Sequence, residues 1–89
     1  MPQKRSRLGI IISILEAILN EEMAASRIGE YANMPYDRLK PILDELEEKN
    51  FVTFKVVGKA KIYRITSNGM NALIRLREAY RILKNLGLE

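Results

Sequence analysis

The segment FVTFKVVGKAKIYRIT, from Phe51 to Thr66, decides the fold of this 89-residue chain. Its two halves are rich in β-branched and aromatic residues, which favour β-strands, and Gly58-Lys59 between them fits a two-residue turn of type II′. We therefore predict a β-hairpin whose register is set by this turn. In that register, one face of the hairpin is apolar and aromatic and consists of Val52, Phe54, Tyr63 and Ile65.

The same hairpin carries four positive charges and no acid: Lys55, Lys59, Lys61 and Arg64. The net charge of +4 is unevenly distributed along the chain. Residues 1–15 carry three basic groups and no acids, residues 16–48 three basic and nine acidic groups, and residues 49–89 nine basic and two acidic groups. A chain that is basic at both ends and acidic in its middle suggests a surface that faces a polyanion.

Two helices are predicted at the start of the chain. Apolar residues recur at helical spacing from Leu8 to Leu19, which indicates a helix with a core-facing stripe. Ser26 is the predicted N-cap of a short second helix that ends near residue 31 or 33. The second helix is expected to bury Ile28, Tyr31 and Ala32.

A turn at Asn33–Pro35 separates the second helix from a third, because Pro35 disfavours a helical conformation at the residue before it. The third helix is predicted to end at about Lys49, with Asn50 as a left-handed cap. Its apolar residues follow the i, i+3, i+4, i+7 pattern: Leu39, Ile42, Leu43 and Leu46.

After the hairpin, Thr66 or Ser67 is predicted to cap a final helix that reaches about Leu86. The apolar set of this helix is broader than packing on one domain requires. Part of it follows the 3-4-3 spacing of a coiled-coil seam, formed by Leu73, Leu76, Tyr80 and Leu83, with Leu86 beyond it. We predict that this seam is a dimer interface; the alternative is a terminal helix packed wholly on its own domain.

The order helix, helix-turn-helix, hairpin, helix predicts an α+β, mostly α fold: a winged helix-turn-helix with a two-stranded wing. We predict that residues 1–66 form the winged-helix DNA-binding domain with a basic N-terminal arm. Residues 67–89 are expected to form the C-terminal dimerisation helix, packed on the same domain.

Three passages resemble the small archaeal winged-helix DNA-binding proteins, which include ten-kilodalton chromatin proteins. The passages are RSRLGIIISILEAI at Arg5–Ile18, LKPILDELEEKNFV at Leu39–Val52 and YRITSNGMNAL at Tyr63–Leu73. The resemblance implies a homodimer that binds double-stranded DNA and is held together by an antiparallel coiled coil of its last helices. It also implies a cytoplasmic, nucleoid-associated protein that acts on chromatin or as a transcriptional regulator.

In a helix-turn-helix, the second helix presents its N-terminal residues to the major groove. The basic and aromatic residues at that end of the third helix are Tyr36, Arg38 and Lys40, and Arg38 has the fork that matches a guanine edge. The alternative is that all three are ordinary solvated surface. The stripe opposite the core is formed by Asp37, Pro41, Asp44 and Glu48, with Glu45 beside it. Three acids on this stripe would be repelled by phosphates, so only the tip of the helix is expected to approach DNA.

The hairpin has no such conflict, and Lys55, Lys59, Lys61 and Arg64 are its predicted phosphate or minor-groove contacts. A second basic element precedes the first helix and consists of Lys4, Arg5 and Arg7. The alternative for that element is a solvated terminus that does not contact DNA.

The chain contains no cysteine and no histidine, which removes thiolate metal sites and the commonest general base. No phosphate-binding loop, zinc-ligand spacing or dinucleotide fingerprint is present, so we expect no catalytic activity, cofactor, metal site or small-molecule substrate. No apolar run approaches the ~20 residues that span a membrane. The competing hypothesis is a protein-interaction module that uses the same scaffold without binding DNA and engages a basic partner through its acidic middle.

Overall fold

The computed structural model describes residues 6–89 of the chain. Lys4 and Arg5 of the predicted basic arm lie outside the described residues. The elements, in chain order, are α1 (Arg7–Asn20), β1 (Met23–Ala24), α2 (Ala25–Ala32), α3 (Tyr36–Glu48), β2 (Val52–Val57), β3 (Ala60–Ile65) and α4 (Ser67–Asn85).

One apolar core joins all four helices to the sheet. Its most completely buried side chains come from every helix and from the hairpin: Ile14, Leu15, Ile28, Leu39, Leu43, Val52, Tyr63 and Leu73. No buried side-chain nitrogen or oxygen among the described residues lacks a hydrogen-bond partner. The core therefore holds the helix-turn-helix and the base of the hairpin in one fixed arrangement.

The hairpin register is confirmed over its whole length, from Val57 opposite Ala60 to Val52 opposite Ile65. Gly58 has φ of +63°, as the first central position of a type II′ turn requires. The sheet has a third strand, β1, which the sequence did not predict and which pairs antiparallel with Ile62 and Tyr63 in the middle of β3.

The start and the buried face of α2 differ from the prediction. Ala24, not Ser26, occupies the N-cap position, and it makes no side-chain capping bond. Tyr31 is 60% exposed, whereas Gly29 is buried. A Cβ at Gly29 would lie 2.8 Å from the Met34 carbonyl oxygen, so this face of α2 comes too close to the following turn for a large side chain.

The left-handed cap of α3 is confirmed. Asn50 has φ of 63°, and the backbone N–H of Phe51 donates to the Leu46 carbonyl at 2.9 Å. The helix runs through Pro41, which lacks the N–H that would otherwise bond to the Asp37 carbonyl. Asp37 and Pro41 are both exposed, so this carbonyl lies on the face that water reaches.

Helix α4 begins at the predicted cap, where the Thr66 hydroxyl accepts a hydrogen bond from the Gly69 N–H at 2.9 Å. Its first half packs on its own domain: Leu73 is 1% exposed, and Leu76 and Tyr80 are half-buried against the same core. Leu73 therefore does not belong to the predicted dimer seam, because its side chain has no accessible surface left for a partner. Leu83 and Leu86 lie outside the core cluster.

Candidate nucleic-acid interface

The helix-turn-helix is held by a tight turn between α2 and α3. Asn33 adopts a left-handed conformation with φ of 55°, and the Met34 N–H donates to the Gly29 carbonyl at 2.8 Å. Pro35 is then the N-cap of α3. These local constraints fix the direction in which the first turn of α3 leaves the domain.

The tip of α3 presents one aromatic and one free cationic side chain. Tyr36 is 58% exposed, and Arg38 is exposed with no acidic side chain within salt-bridge distance among residues 6–89. Lys40 differs, because its ammonium donates a hydrogen bond to the Asp44 carboxylate one turn later. That bond raises the pKa of Lys40, and the Asp44 carboxylate offsets the positive charge that Lys40 presents to solvent.

The outer stripe of α3 is acidic, as predicted from the helical spacing. Asp37, Pro41, Asp44 and Glu48 are all exposed. This stripe cannot lie along a phosphate backbone without repulsion, which leaves the tip of the helix as the part that can approach a duplex.

Arg7, at the start of α1, lies beside α3. Its guanidinium donates a hydrogen bond to the Glu45 carboxylate and holds the pKa of that carboxyl below its ordinary value. Glu45 therefore stays ionised further into the acidic range than a free glutamate, and the ion pair persists there. The only described member of the predicted basic arm is thus paired with an acid of the same chain.

We expect Glu45→Gln to strengthen binding to duplex DNA, because it removes one negative charge and releases Arg7. One added phosphate contact would tighten binding about five- to tenfold near ~0.1 M salt and steepen the salt dependence by about 0.9. Glu48→Gln is the matched control, since it removes the same charge from the same helix and frees no cation. Equal gains for both variants, measured by fluorescence anisotropy, would show that Arg7 makes no contact with DNA.

The hairpin places its cations in three different settings. Lys55 lies 3.3 Å from the Glu22 carboxylate, and the Lys61 ammonium lies 4.3 Å from the centroid of the Phe54 ring. Lys59, in the turn, and Arg64, on the face opposite the core, are exposed and have no acid within salt-bridge distance among residues 6–89. Of the predicted hairpin contacts, Lys55 alone has an acidic partner within the described residues 6–89.

The tertiary ion pairs were not visible in the sequence. Glu22 pairs with Lys55 because it directly precedes β1, at the edge of the sheet. Since β1 is only two residues long, the sequence shows no sign of this placement. Similarly, Arg77 of α4 donates two hydrogen bonds to the Glu16 carboxylate of α1, at 2.8 and 3.0 Å. Arg77 is therefore not an unpaired cation, and its ion pair with Glu16 links α4 to α1.

The last turn of α4 and the residues that directly follow it are apolar and exposed. Ile82 is 46% exposed, Leu86 66% and Leu88 68%, and Leu83 is half-buried outside the core cluster. These four residues are called the α4 apolar end below.

Neither a metal-binding cluster nor a membrane-spanning helix is found in the part of the chain that the structure describes. No group of three acidic side chains is arranged to hold a metal ion within residues 6–89. Over the same residues, no helix combines the length and the apolar character needed to cross a membrane.

A helix-turn-helix followed by a β-hairpin wing and a long final helix defines a class of protein, and the chain belongs to it. The model of the winged helix-turn-helix family matches residues 4–84. No curated protein sequence matches the chain significantly.

Solved structures of this class are similar over most of the chain. The crystal structure of Sso10a-2, a DNA-binding protein from Sulfolobus solfataricus, matches with a TM-score of 0.86 and 26% identity, over 92% of this chain and 85% of that one. The transcriptional regulator BldR from the same organism matches with a TM-score of 0.79 and 26% identity, over 89% of this chain and 59% of that one. The homodimeric winged helix-turn-helix DNA-binding domain of Mb0332 from Mycobacterium bovis shares the fold, with a TM-score of 0.68 and 21% identity over 85% of this chain and 70% of the fragment.

Proposed function

We propose that this protein binds double-stranded DNA as a homodimer, with the hairpin wing as its main contact and the tip of α3 as a second one. The observation that carries the proposal is the charge of the wing. No acidic residue occurs between Glu48 and Glu78, and residues 55–61 are all exposed and include three lysines. Sso10a-2 is described as a DNA-binding protein, which supports the same assignment.

Each predicted contact within residues 6–89 has a role in this proposal. Lys59, Lys61 and Arg64 bind phosphates from the wing, and Tyr36 and Arg38 reach the duplex from α3. Three further cations contribute only when DNA competes with their acidic partners: Arg7, Lys40 and Lys55. Because the outer stripe of α3 is acidic, the proposal assigns less base readout to α3 than a basic recognition helix would provide.

The dimer in this proposal forms through the ends of the two α4 helices. The α4 apolar end supplies surface for an antiparallel contact, and Mb0332, which shares the fold, is homodimeric. A dimer would carry two wings. With the family of the chain, this favours a role as a transcriptional regulator or as a chromatin-associated protein of the nucleoid, in the cytoplasm. No catalytic step is assigned to it.

A salt titration with arbitrary duplex DNA tests the proposal. We expect binding at low salt, with a slope of log K against log salt of about −0.9 per phosphate contact, hence roughly −3.6 to −5.4 per subunit for about four to six contacts. Lys59→Ala should reduce the slope by about 0.9 per subunit. Arg81→Ala, which removes the same charge from α4, is the control and should leave the slope unchanged.

An absence of binding at low salt would overturn the proposal. It would favour instead a protein-interaction module that binds a basic partner through the exposed acids of α3. Equal affinity for random duplexes and for duplexes selected from a random pool would favour the chromatin role over the regulatory one.

A further inference from the structure

A groove of about 400 Å³ lies between α1 and α3. It forms because α1 packs mainly on α2, α4 and the sheet, whereas α3 packs mainly on α2 and β2. The domain therefore holds α1 and α3 near each other without close packing between them. Six residues line the groove: Arg7 and Ile10 of α1, Met34 of the turn, and Arg38, Pro41 and Ile42 of α3.

The floor of this groove is aliphatic. Ile10, Met34 and Ile42 are half-buried and pack against the core, and Pro41 is exposed beside them. No aromatic side chain within residues 6–89 lines the groove, so it offers no flat surface on which a ring could stack. Methionine and isoleucine side chains instead suit a flexible aliphatic chain. The volume lies within the range of about 300–1,000 Å³ that is usual for small-molecule sites.

The charge at the rim of the groove is positive. Both charged lining residues are arginines, and no acid of residues 6–89 lines the groove. Arg38 has no acidic side chain within salt-bridge distance in the same part of the chain, and Arg7 shares its guanidinium with Glu45. A guanidinium binds a carboxylate through two parallel hydrogen bonds. One carboxylate on an aliphatic tail therefore complements both parts of the groove.

We infer that the groove binds a fatty acid of medium chain length, with its carboxylate on Arg38 and its tail over Ile10, Met34 and Ile42. The consequence for regulation rests on the proposed function, in which Arg38 contacts DNA. One guanidinium cannot hold the ligand carboxylate and the duplex at the same time, so the two ligands compete. Each then lowers the affinity for the other by the same factor.

Binding in the groove is tested without DNA, with octanoate as the probe. An NMR titration of the ¹⁵N-labelled protein should shift the backbone amides of Ile10, Met34, Arg38 and Ile42. Octanoate should bind at least about tenfold more tightly than butyrate, because each buried CH₂ group contributes a factor of about four. The uncharged 1-octanol, which has the same tail, should bind about tenfold more weakly than octanoate, because it cannot form the paired bonds to a guanidinium.

Arg38→Ala should weaken octanoate binding about tenfold, because it removes the main partner of the carboxylate. Arg38 is exposed, so the fold should be kept, which circular dichroism checks. Lys59→Ala is the matched control, since it removes the same charge from the hairpin turn and should leave the octanoate affinity unchanged.

Competition is then measured by fluorescence anisotropy on one duplex. Saturating octanoate should weaken DNA binding by the wild-type protein about tenfold relative to the same concentration of sodium acetate, which matches the ionic strength. Octanoate should have no effect on the DNA affinity of Arg38→Ala, whose remaining contacts lie outside the groove.

The outcomes separate this inference from the proposed function. A wild-type protein that binds no duplex at low salt would overturn the proposed function and the competition, while the map of shifted amides still decides whether the groove is a site. Shifts confined to the α4 apolar end, or equal affinities for octanoate and butyrate, would overturn the groove as a fatty-acid site. Octanoate bound in the groove with no change in DNA affinity would overturn the competition alone.

Discussion

Gly69→Ala is expected to destabilise the protein by about 3 kcal/mol or more, because the site has no room for one added methyl group. A Cβ at this position would lie 2.0 Å from the Phe51 carbonyl oxygen and 2.7 Å from Cγ1 of Ile65. A domain of this size melts about 4–8 °C lower for each kcal/mol lost, so the melting temperature should fall by roughly 12–24 °C. Thermal unfolding followed by circular dichroism measures this directly.

The Phe51 carbonyl cannot easily move away. It accepts a hydrogen bond from the Thr66 N–H at 3.1 Å, and the Thr66 hydroxyl donates to the Asn50 carbonyl at 2.7 Å. The same hydroxyl caps α4 at Gly69. These bonds join the start of β2 to the end of β3, so an alanine here would disturb the base of the wing as well as the start of α4.

Gly9→Ala is the matched control for this prediction. A Cβ at Gly9 would lie 3.2 Å from the Ser6 hydroxyl oxygen and 3.7 Å from Cε1 of Tyr80, which asks only for a small shift of the Ser6 side chain. Alanine also favours a helix by about 1 kcal/mol over glycine, so the net change should lie within about 1 kcal/mol of zero. If the two variants melted at the same temperature, close packing at Gly69 would not be the reason for its glycine.

The hairpin shows which parts of the fold a sequence predicts well. A two-residue turn with glycine first leaves a single register that puts Val52, Phe54, Tyr63 and Ile65 on one face, and that register is observed. A slip of one residue would have exposed the whole set, so the prediction had an internal check. The third strand had no such signal, because Met23–Ala24 is only two residues long, which is too short to show a strand pattern.

The α2 face and the ion pairs show why the remainder could not be predicted. Tyr31 has a helical spacing compatible with burial, but Gly29 and Ala32 face the core because α3 approaches α2 closely there. The sign of the charge on the wing and on the outer face of α3 follows from the sequence alone. Which cations are neutralised does not, since Arg7 and Glu45 are 38 residues apart and meet only through the packing of α1 beside α3.

Replacing Leu83 and Leu86 together by aspartate is expected to produce monomers and to weaken DNA binding by about 10²- to 10⁴-fold. Two linked wings make the second binding event intramolecular, and this gain in avidity is lost when the subunits separate. Both leucines lie outside the core cluster, so the monomer should keep its fold, whereas Leu76→Asp would damage the core directly. Sedimentation gives the mass, and fluorescence anisotropy on one duplex gives the affinity.

Ile74→Asp is the control for this variant, because Ile74 is an exposed apolar residue of α4, 63% accessible, that lies outside the α4 apolar end. It should remain a dimer with wild-type affinity. A dimer that survives both leucine substitutions would exclude the end of α4 as the interface and favour a helix packed wholly on its own domain. A monomer with undiminished affinity would instead place the whole binding energy in one wing and one α3 tip, so the second subunit would serve some purpose other than avidity.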